Sequence, residues 1–75
     1  MNSWDVVILS YLYRKDWTDP DIIAKALRSK HMTATWARPK CKRLVRKKLL
    51  ERDSRGWYRM PEKMYGVVET LIKEA

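Results

Sequence analysis

Residues 33–48, TATWARPKCKRLVRKK, combine a short apolar seam with a dense positive charge. The apolar positions follow the i, i+4, i+7, i+8 spacing of one helical face: Ala37, Cys41, Leu44 and Val45. The same stretch holds seven of the 17 Lys and Arg residues of the chain and no Asp or Glu. This pattern predicts a helix, at about residues 35–48, that packs one narrow face on a core and presents a cationic remainder to an anion.

The start of this helix is ambiguous because Pro39 lacks an amide donor and disfavours α geometry at Arg38. Two alternatives remain open. The helix begins either at 35–36 with an irregular first turn, or regularly at Pro39. Thr33 or Thr35 is the expected cap.

Residues 49–60, LLERDSRGWYRM, predict a β-hairpin, with residues 53–56 as its turn and Gly56 able to adopt positive φ. The apolar positions share one face: Leu50, Tyr58 and Met60. The charged positions share the other: Glu51 and Arg59. An isolated two-stranded hairpin is only marginally stable, so we expect this one to pack on the helices.

Three further helices are expected, at about 4–14, 20–29 and 61–74. In the first, the apolar face comprises Trp4, Val7, Ile8, Tyr11 and Leu12. In the second, which Thr18 or Asp19 can cap, it comprises Ile22, Ile23, Ala26 and Leu27. In the last, it comprises Met64, Val67, Val68, Leu71 and Ile72. We expect residues 16–17 to be extended and to pair weakly with a later strand.

The last helix leaves two alternatives open. Its apolar face can pack with the first helix on the protein's own core, or it can form a dimer interface. Gly66 lies inside this helix, where it costs about 1 kcal/mol relative to Ala, and it is expected to allow close contact with another helix.

The composition of the 75-residue chain indicates one small domain, residues 1–75, with an anionic partner. A net charge of +8 favours nucleic acid first and an anionic membrane surface second. One Cys and one His provide neither a disulfide framework nor a metal site. No catalytic constellation or phosphate-binding loop is evident in the sequence, so we expect neither an enzyme nor a cofactor.

The N-terminal region lacks the features of a signal peptide because Asp5 comes early and the apolar run is short. We therefore expect a cytoplasmic protein. One Asn and no Gln are a mild indication of a thermophilic source.

The order helix, extended piece, helix, turn, basic helix and hairpin resembles the winged helix-turn-helix family. Residues 22–60 carry the resemblance, with residues 49–52 and 57–60 similar to that family's recognition-helix exit and wing. Lys48 occupies the position before the paired leucines where the family usually has Gly. The small size and high charge resemble compact winged-helix regulators of archaea and of their plasmids and viruses. The resemblance implies a mainly α fold with a β-hairpin: three helices, a two-stranded wing and a C-terminal fourth helix.

The resemblance also implies that the N-terminal half of the basic helix enters the major groove of DNA. The face opposite the seam is expected to hold Thr35, Pro39, Lys42, Arg43 and Arg46. Candidates for base edges are Thr35, Arg38, Lys42 and Arg43. Candidates for phosphate contact are Lys40, Arg46 and Lys47. At the wing tip, Ser54 and Arg55 are expected to reach the minor groove or the adjacent backbone.

Three neighbouring side chains carry separate expectations. Trp36 would pack on sugar or methyl groups if exposed, or wedge against the second helix if buried. Trp57 would either stack near the DNA or cover the core edge. Cys41 should behave as a small buried hydrophobe.

The leading interpretation is a sequence-specific regulator of transcription that binds double-stranded DNA, with autoregulation suggested by analogy. Two copies are expected on the DNA, with a monomer or weak homodimer when free. Alternatives are a non-specific nucleoid-type protein, a winged-helix protein-interaction module and an RNA-binding protein. No membrane or small-molecule partner is expected.

Overall fold

The computed structural model describes residues 3–27 and 33–74. The elements in chain order are α1 (Ser3–Leu12), α2 (Pro20–Leu27), α3 (Ala34–Arg46), β1 (Glu51–Arg52), β2 (Tyr58–Arg59), a 3-10 turn (Glu62–Met64) and α4 (Tyr65–Glu74). The fold is mainly helical, and β1 and β2 form a two-stranded antiparallel hairpin. The expected combination of helices and hairpin is therefore confirmed. In the described ranges, no helix has both the length and the apolar character needed to cross a bilayer.

Some helix boundaries differ from those expected from the sequence. α1 ends at Leu12, not near residue 14, because Arg14 has a φ of 60° and the Lys15 N–H donates to the Leu12 carbonyl at 3.0 Å. α2 begins where expected, and the Asp19 carboxylate caps it by accepting from the Asp21 N–H at 2.9 Å. Its expected end near residue 29 lies outside the described residues. Residues 61–74 do not form one helix, since a 3-10 turn precedes α4.

The core draws side chains from every helix and from the hairpin: Ile8, Leu9, Leu12, Ile23, Ala24, Ala37, Cys41, Leu44, Leu49, Leu50, Tyr58, Met60 and Val68. The predicted inner faces of α1 and α2 are partly wrong. Val7 is 38% exposed and Ile22 is 52% exposed, whereas Leu9 and Ala24 are fully buried. α1 contacts α2, α3 and α4, so its buried surface is wider than one helical stripe. Ala26 is also exposed, and Leu27 is half-buried.

The hairpin has the predicted inner and outer faces and packs on the helices as expected. Glu51 lies opposite Arg59, and the Arg59 Nε lies 2.6 Å from the Glu51 Oε1 on the outer face. Leu50, Tyr58 and Met60 are buried on the inner face. This alternation of outward charge and inward apolar side chains is what the two-residue period of a strand requires.

The segment before α2 joins the hairpin through one residue. Thr18 and Tyr58 exchange two backbone hydrogen bonds, of 2.8 and 3.0 Å, as an isolated antiparallel bridge. The expected pairing of the connector therefore exists at Thr18, just after residues 16–17. It ties the hairpin to the α1–α2 connection.

α4 packs on α1, as one of the two alternatives for the last helix supposed. Val68 is fully buried, and the rings of Tyr13 and Tyr65 lie 5.3 Å apart between centroids. Val67 is 48% exposed, so the predicted apolar face is only partly covered by the described residues. Among the described residues, a Cβ on Gly66 would meet no atom of another helix within 4 Å, so the expected close helix contact is not seen there.

Candidate nucleic-acid interface

α3 begins at Ala34 and runs through Pro39 to Arg46, so the alternative start at Pro39 is wrong and the start expected at 35–36 is one residue late. The Ala34 N–H donates to the Asp21 carboxylate of α2 at 2.9 Å. The Trp36 and Ala37 N–H groups donate to the Thr33 carbonyl, and the side chain of Thr33 makes no capping bond. With these donors satisfied, Pro39 removes one bond, to the carbonyl of the exposed Thr35, where water can replace it.

The inward seam of α3 is confirmed. Ala37, Cys41 and Leu44 have no exposed surface, and Val45 is half-buried. Burial raises the pKa of the Cys41 thiol to about 12. The thiol therefore stays protonated near neutral pH and packs as a small apolar group, because the thiolate is the reactive form.

Five exposed residues of α3, which we call the outer stripe, line a shallow concavity of about 400 Å³: Thr35, Arg38, Pro39, Lys42 and Arg46. They recur at intervals of three and four along the helix, so they form one continuous row. In the described part of the chain, none of the three cations in this row forms a salt bridge. The outer stripe is therefore a concave surface of uncompensated positive charge.

A second row, which we call the flank stripe, has the same spacing one residue further along and faces α1: Trp36, Lys40, Arg43 and Lys47. Trp36 meets Trp4 of α1 edge to face, with ring centroids 5.0 Å apart and planes at 85°. The Lys40 Nζ lies 4.6 Å from the Trp36 ring centroid, within cation–π range. Trp36 is therefore half-buried and packs against Trp4 of the first helix.

The Arg43 guanidinium forms a salt bridge with Asp5 of α1, whose side chain is 1% exposed. The Lys47 Nζ lies 3.7 Å from the other Asp5 oxygen. The prediction that Arg43 faces outward with Lys42 is thus wrong for its guanidinium. Arg43 lies at the edge of the outer face of α3, and its long side chain turns back towards the buried carboxylate of Asp5.

Sequence reasoning missed Asp5 as a partner of the basic helix. One signal was present, because Asp5 is the only charged residue in α1. If such an acid is buried against the core it needs a cationic partner, and the most basic helix of the chain is a natural source.

The exit of α3 has the backbone geometry that glycine favours, although the residue there is Lys48, with a φ of 63°. The Lys48 N–H donates to the Val45 carbonyl at 2.9 Å, and the Leu49 N–H donates to the Leu44 carbonyl at 3.0 Å. These two bonds make a Schellman ending. It turns the chain from α3 into the hairpin.

The hairpin tip holds Arg55 in a defined position. Its Nη2 lies 2.7 Å from the Asp53 carboxylate, and its guanidinium carbon lies 3.7 Å from the Trp57 ring centroid. Gly56 has a φ of 83°, as the turn prediction requires. Ser54 and Arg55 are exposed, and half-buried Trp57 supports Arg55.

Asp53 organises this tip as an ionised acceptor. Desolvation alone would raise the pKa of Asp53, but hydrogen bonds from the Trp57 amide and from Arg55, together with the Arg55 charge, lower it. The carboxylate therefore remains charged at neutral pH.

The predicted site residues thus fall into three groups: an open row on α3, a row beside α1, and a hairpin tip in which Asp53 holds Arg55. Comparison of the chain with protein-family models, curated proteins and solved structures gave no match. Residues 3–27 and 33–74 contain no group of three or more His, Cys, Asp or Glu residues able to hold a metal ion.

Proposed function

We propose that this chain is a winged helix-turn-helix protein that binds double-stranded DNA, with α3 as the recognition helix and the β1–β2 hairpin as the wing. The order of elements supports this proposal, as does the capping of α3 by Asp21, which joins α2 and α3 as a helix-turn-helix pair would be joined. A helix with one buried seam and an exposed cationic face suits the major groove.

The outer stripe is the observation that carries the proposal. Its three cations have no acidic partner among the described residues, and its side chains frame a concavity on one face. We assign Thr35, Arg38 and Lys42 to base edges because they lie in the first two-thirds of α3. Arg38 can make two hydrogen bonds to guanine, which a lysine matches less well. Arg46, near the helix end, is assigned to phosphate.

The remaining predicted contacts are secondary in this proposal. Lys40 and Lys47 lie beside the outer stripe but already contact Trp36 and Asp5. Ser54 and Arg55 would touch the minor groove or adjacent backbone. Arg55 would approach with its guanidinium already oriented by Asp53 and Trp57.

We further propose that binding regulates transcription through occlusion or recruitment at a promoter, in the cytoplasm of the source or host cell. One module of 75 residues makes few base contacts, so two copies on paired half-sites would supply useful specificity. The partly covered face of α4 is available for contact between copies.

Selection of bound duplexes from a random pool tests this function most directly. We expect a short enriched motif, repeated about one helical turn apart if two copies bind. The selected duplex and a scrambled one should then be titrated across a salt series.

Each other outcome has a distinct meaning. Equal affinity for both duplexes with a steep salt dependence would favour the nucleoid-type alternative and contradict sequence-specific regulation. Preference for RNA over duplex DNA would favour the RNA-binding alternative. Absence of duplex binding even at low salt would contradict the proposal as a whole and favour a protein-interaction module.

A further inference from the structure

Asp5 is a nearly completely buried carboxylate in a helix that carries no other charge. Burial of an isolated carboxylate is very unfavourable, so a buried carboxylate is found paired with cations or hydrogen-bond donors. Two cations pair with Asp5 among the described residues: Arg43 of α3 and Lys47, the C-cap residue of that helix. The acid of α1 is thus matched to the recognition helix proposed above.

The positions of Arg43 and Lys47 give this pairing a consequence for DNA binding. Each follows directly after a cation of the outer stripe, Lys42 and Arg46 respectively. Their side chains are 36% and 46% exposed, so both remain at the surface beside that stripe. Without Asp5, two long cationic side chains would be free to extend towards the same phosphates.

We propose that Asp5 is a positioning residue that determines which cations of α3 contact DNA, an inference that rests on the proposed function. By holding Arg43 and Lys47 against α1, it limits sequence-independent phosphate contact to the outer stripe. It also restricts rotation of α3 about its own axis, so the base-reading side chains meet the groove in one orientation. Its effect is to raise the ratio of specific to non-specific affinity.

The test compares Asp5→Asn with the unmodified protein on a selected and a scrambled duplex between about 50 and 200 mM salt. The salt slope of log affinity should steepen by about one for each cation released. Affinity for the scrambled duplex should rise at low salt, and the selected-to-scrambled ratio should fall. Asp5→Glu, which keeps the charge, should retain the shallower slope.

Asp16→Asn is the matched control because it removes one negative charge at a side chain that is 88% exposed and forms its salt bridge with Arg59 of the hairpin, not with a cation of α3. It should leave the slope unchanged. A double variant, Asp5→Asn with Arg43→Met, should recover about one unit of the steepened slope, which a purely structural role for Asp5 would not produce.

Arg43→Met alone keeps the inference testable if Asp5→Asn does not fold. Its salt slope should equal that of the unmodified protein, whereas Arg46→Met should lower the slope by about one. A slope lowered equally by both, or unaltered in a folded Asp5→Asn, would overturn the inference while leaving DNA binding intact. Failure of the unmodified protein to bind any duplex would overturn the proposed function and this inference together.

Discussion

Two rows of α3 have the same spacing and differ by one residue in register, yet their surroundings are opposite. In the outer stripe the side chains are exposed around an open concavity, and its cations have no acidic partner among the described residues. In the flank stripe, Arg43 and Lys47 meet a buried carboxylate, and Lys40 lies over an indole ring. Positive charge on a helix is therefore a poor measure of the charge available to a ligand.

The same comparison shows how the helix tolerates repulsion between its positively charged side chains. Like charges four residues apart destabilise a helix slightly, and each row contains such a pair. Asp5 lies between Arg43 and Lys47 and offsets their repulsion. The pair Lys42 and Arg46 has no such compensation in the described structure, and DNA phosphates are the compensation that we propose.

The largest expected effect is a difference in duplex binding between a double variant of the outer stripe and a double variant of the flank stripe. Lys42→Ala with Arg46→Ala should lower the salt slope by about one, for the phosphate contact assigned to Arg46, and weaken duplex binding about tenfold or more near 0.15 M salt. Lys40→Ala with Lys47→Ala removes the same charge from the flank stripe and should change the slope much less. Titration of a fluorescent duplex measures both. Equal losses for the two double variants would show that the rows do not differ in function.

The next prediction concerns folding instead of binding. Here a substitution in the flank stripe is expected to have the larger effect, and one in the outer stripe the smaller. Arg43→Ala leaves the buried Asp5 carboxylate without its main partner and should lower the free energy of unfolding by about 2–3 kcal/mol. Lys42→Ala, one residue away on the outer stripe, should stay within about 0.5 kcal/mol of the unmodified protein. Urea denaturation followed by circular dichroism gives both values, and similar losses would argue that Asp5 does not stabilise the fold through Arg43.

The smallest effect lies at the helix exit, just beyond both rows. Lys48→Gly relieves a left-handed backbone and should stabilise the protein by about 0.5–1 kcal/mol, after the entropic cost of glycine. Gly56→Ala is a control with the opposite expected sign. Because φ is 83° at Gly56 and a Cβ would lie 3.3 Å from the Arg52 guanidinium, this substitution should lower the stability of the protein. Thermal denaturation ranks the two. An unchanged salt slope in Lys48→Gly would place Lys48 outside the DNA-contacting row.

The buried faces of single helices and strands were predicted well from the sequence where the apolar residues recur at the spacing of that element. The seam residues Ala37, Cys41 and Leu44 are buried, and Leu50, Tyr58 and Met60 share the inner face of the hairpin. These predictions depend on the pitch of one element and on which of its faces is apolar. The turn at Gly56 was likewise readable from local residue chemistry.

Predictions that required knowledge of a neighbouring element were less successful. Val7 and Ile22 were assigned to inner faces but are exposed, since an apolar side chain is buried only where another element covers it. The sequence left two starts open for α3 because the first amide of this helix is capped by Asp21, a residue of a different helix. The DNA-contacting set stays a prediction, with Arg43 transferred from base reading to the pairing with Asp5.

The sequence by itself determined the cationic helix with its narrow seam, because helical pitch and side-chain polarity are local properties. Only the tertiary structure decided which cations of that helix stay open. Arg43 and Asp5 are 38 residues apart in the chain, and no local pattern relates them. Their contact exists because α1 packs beside α3 and buries a carboxylate, and a buried charge requires an opposite charge within reach.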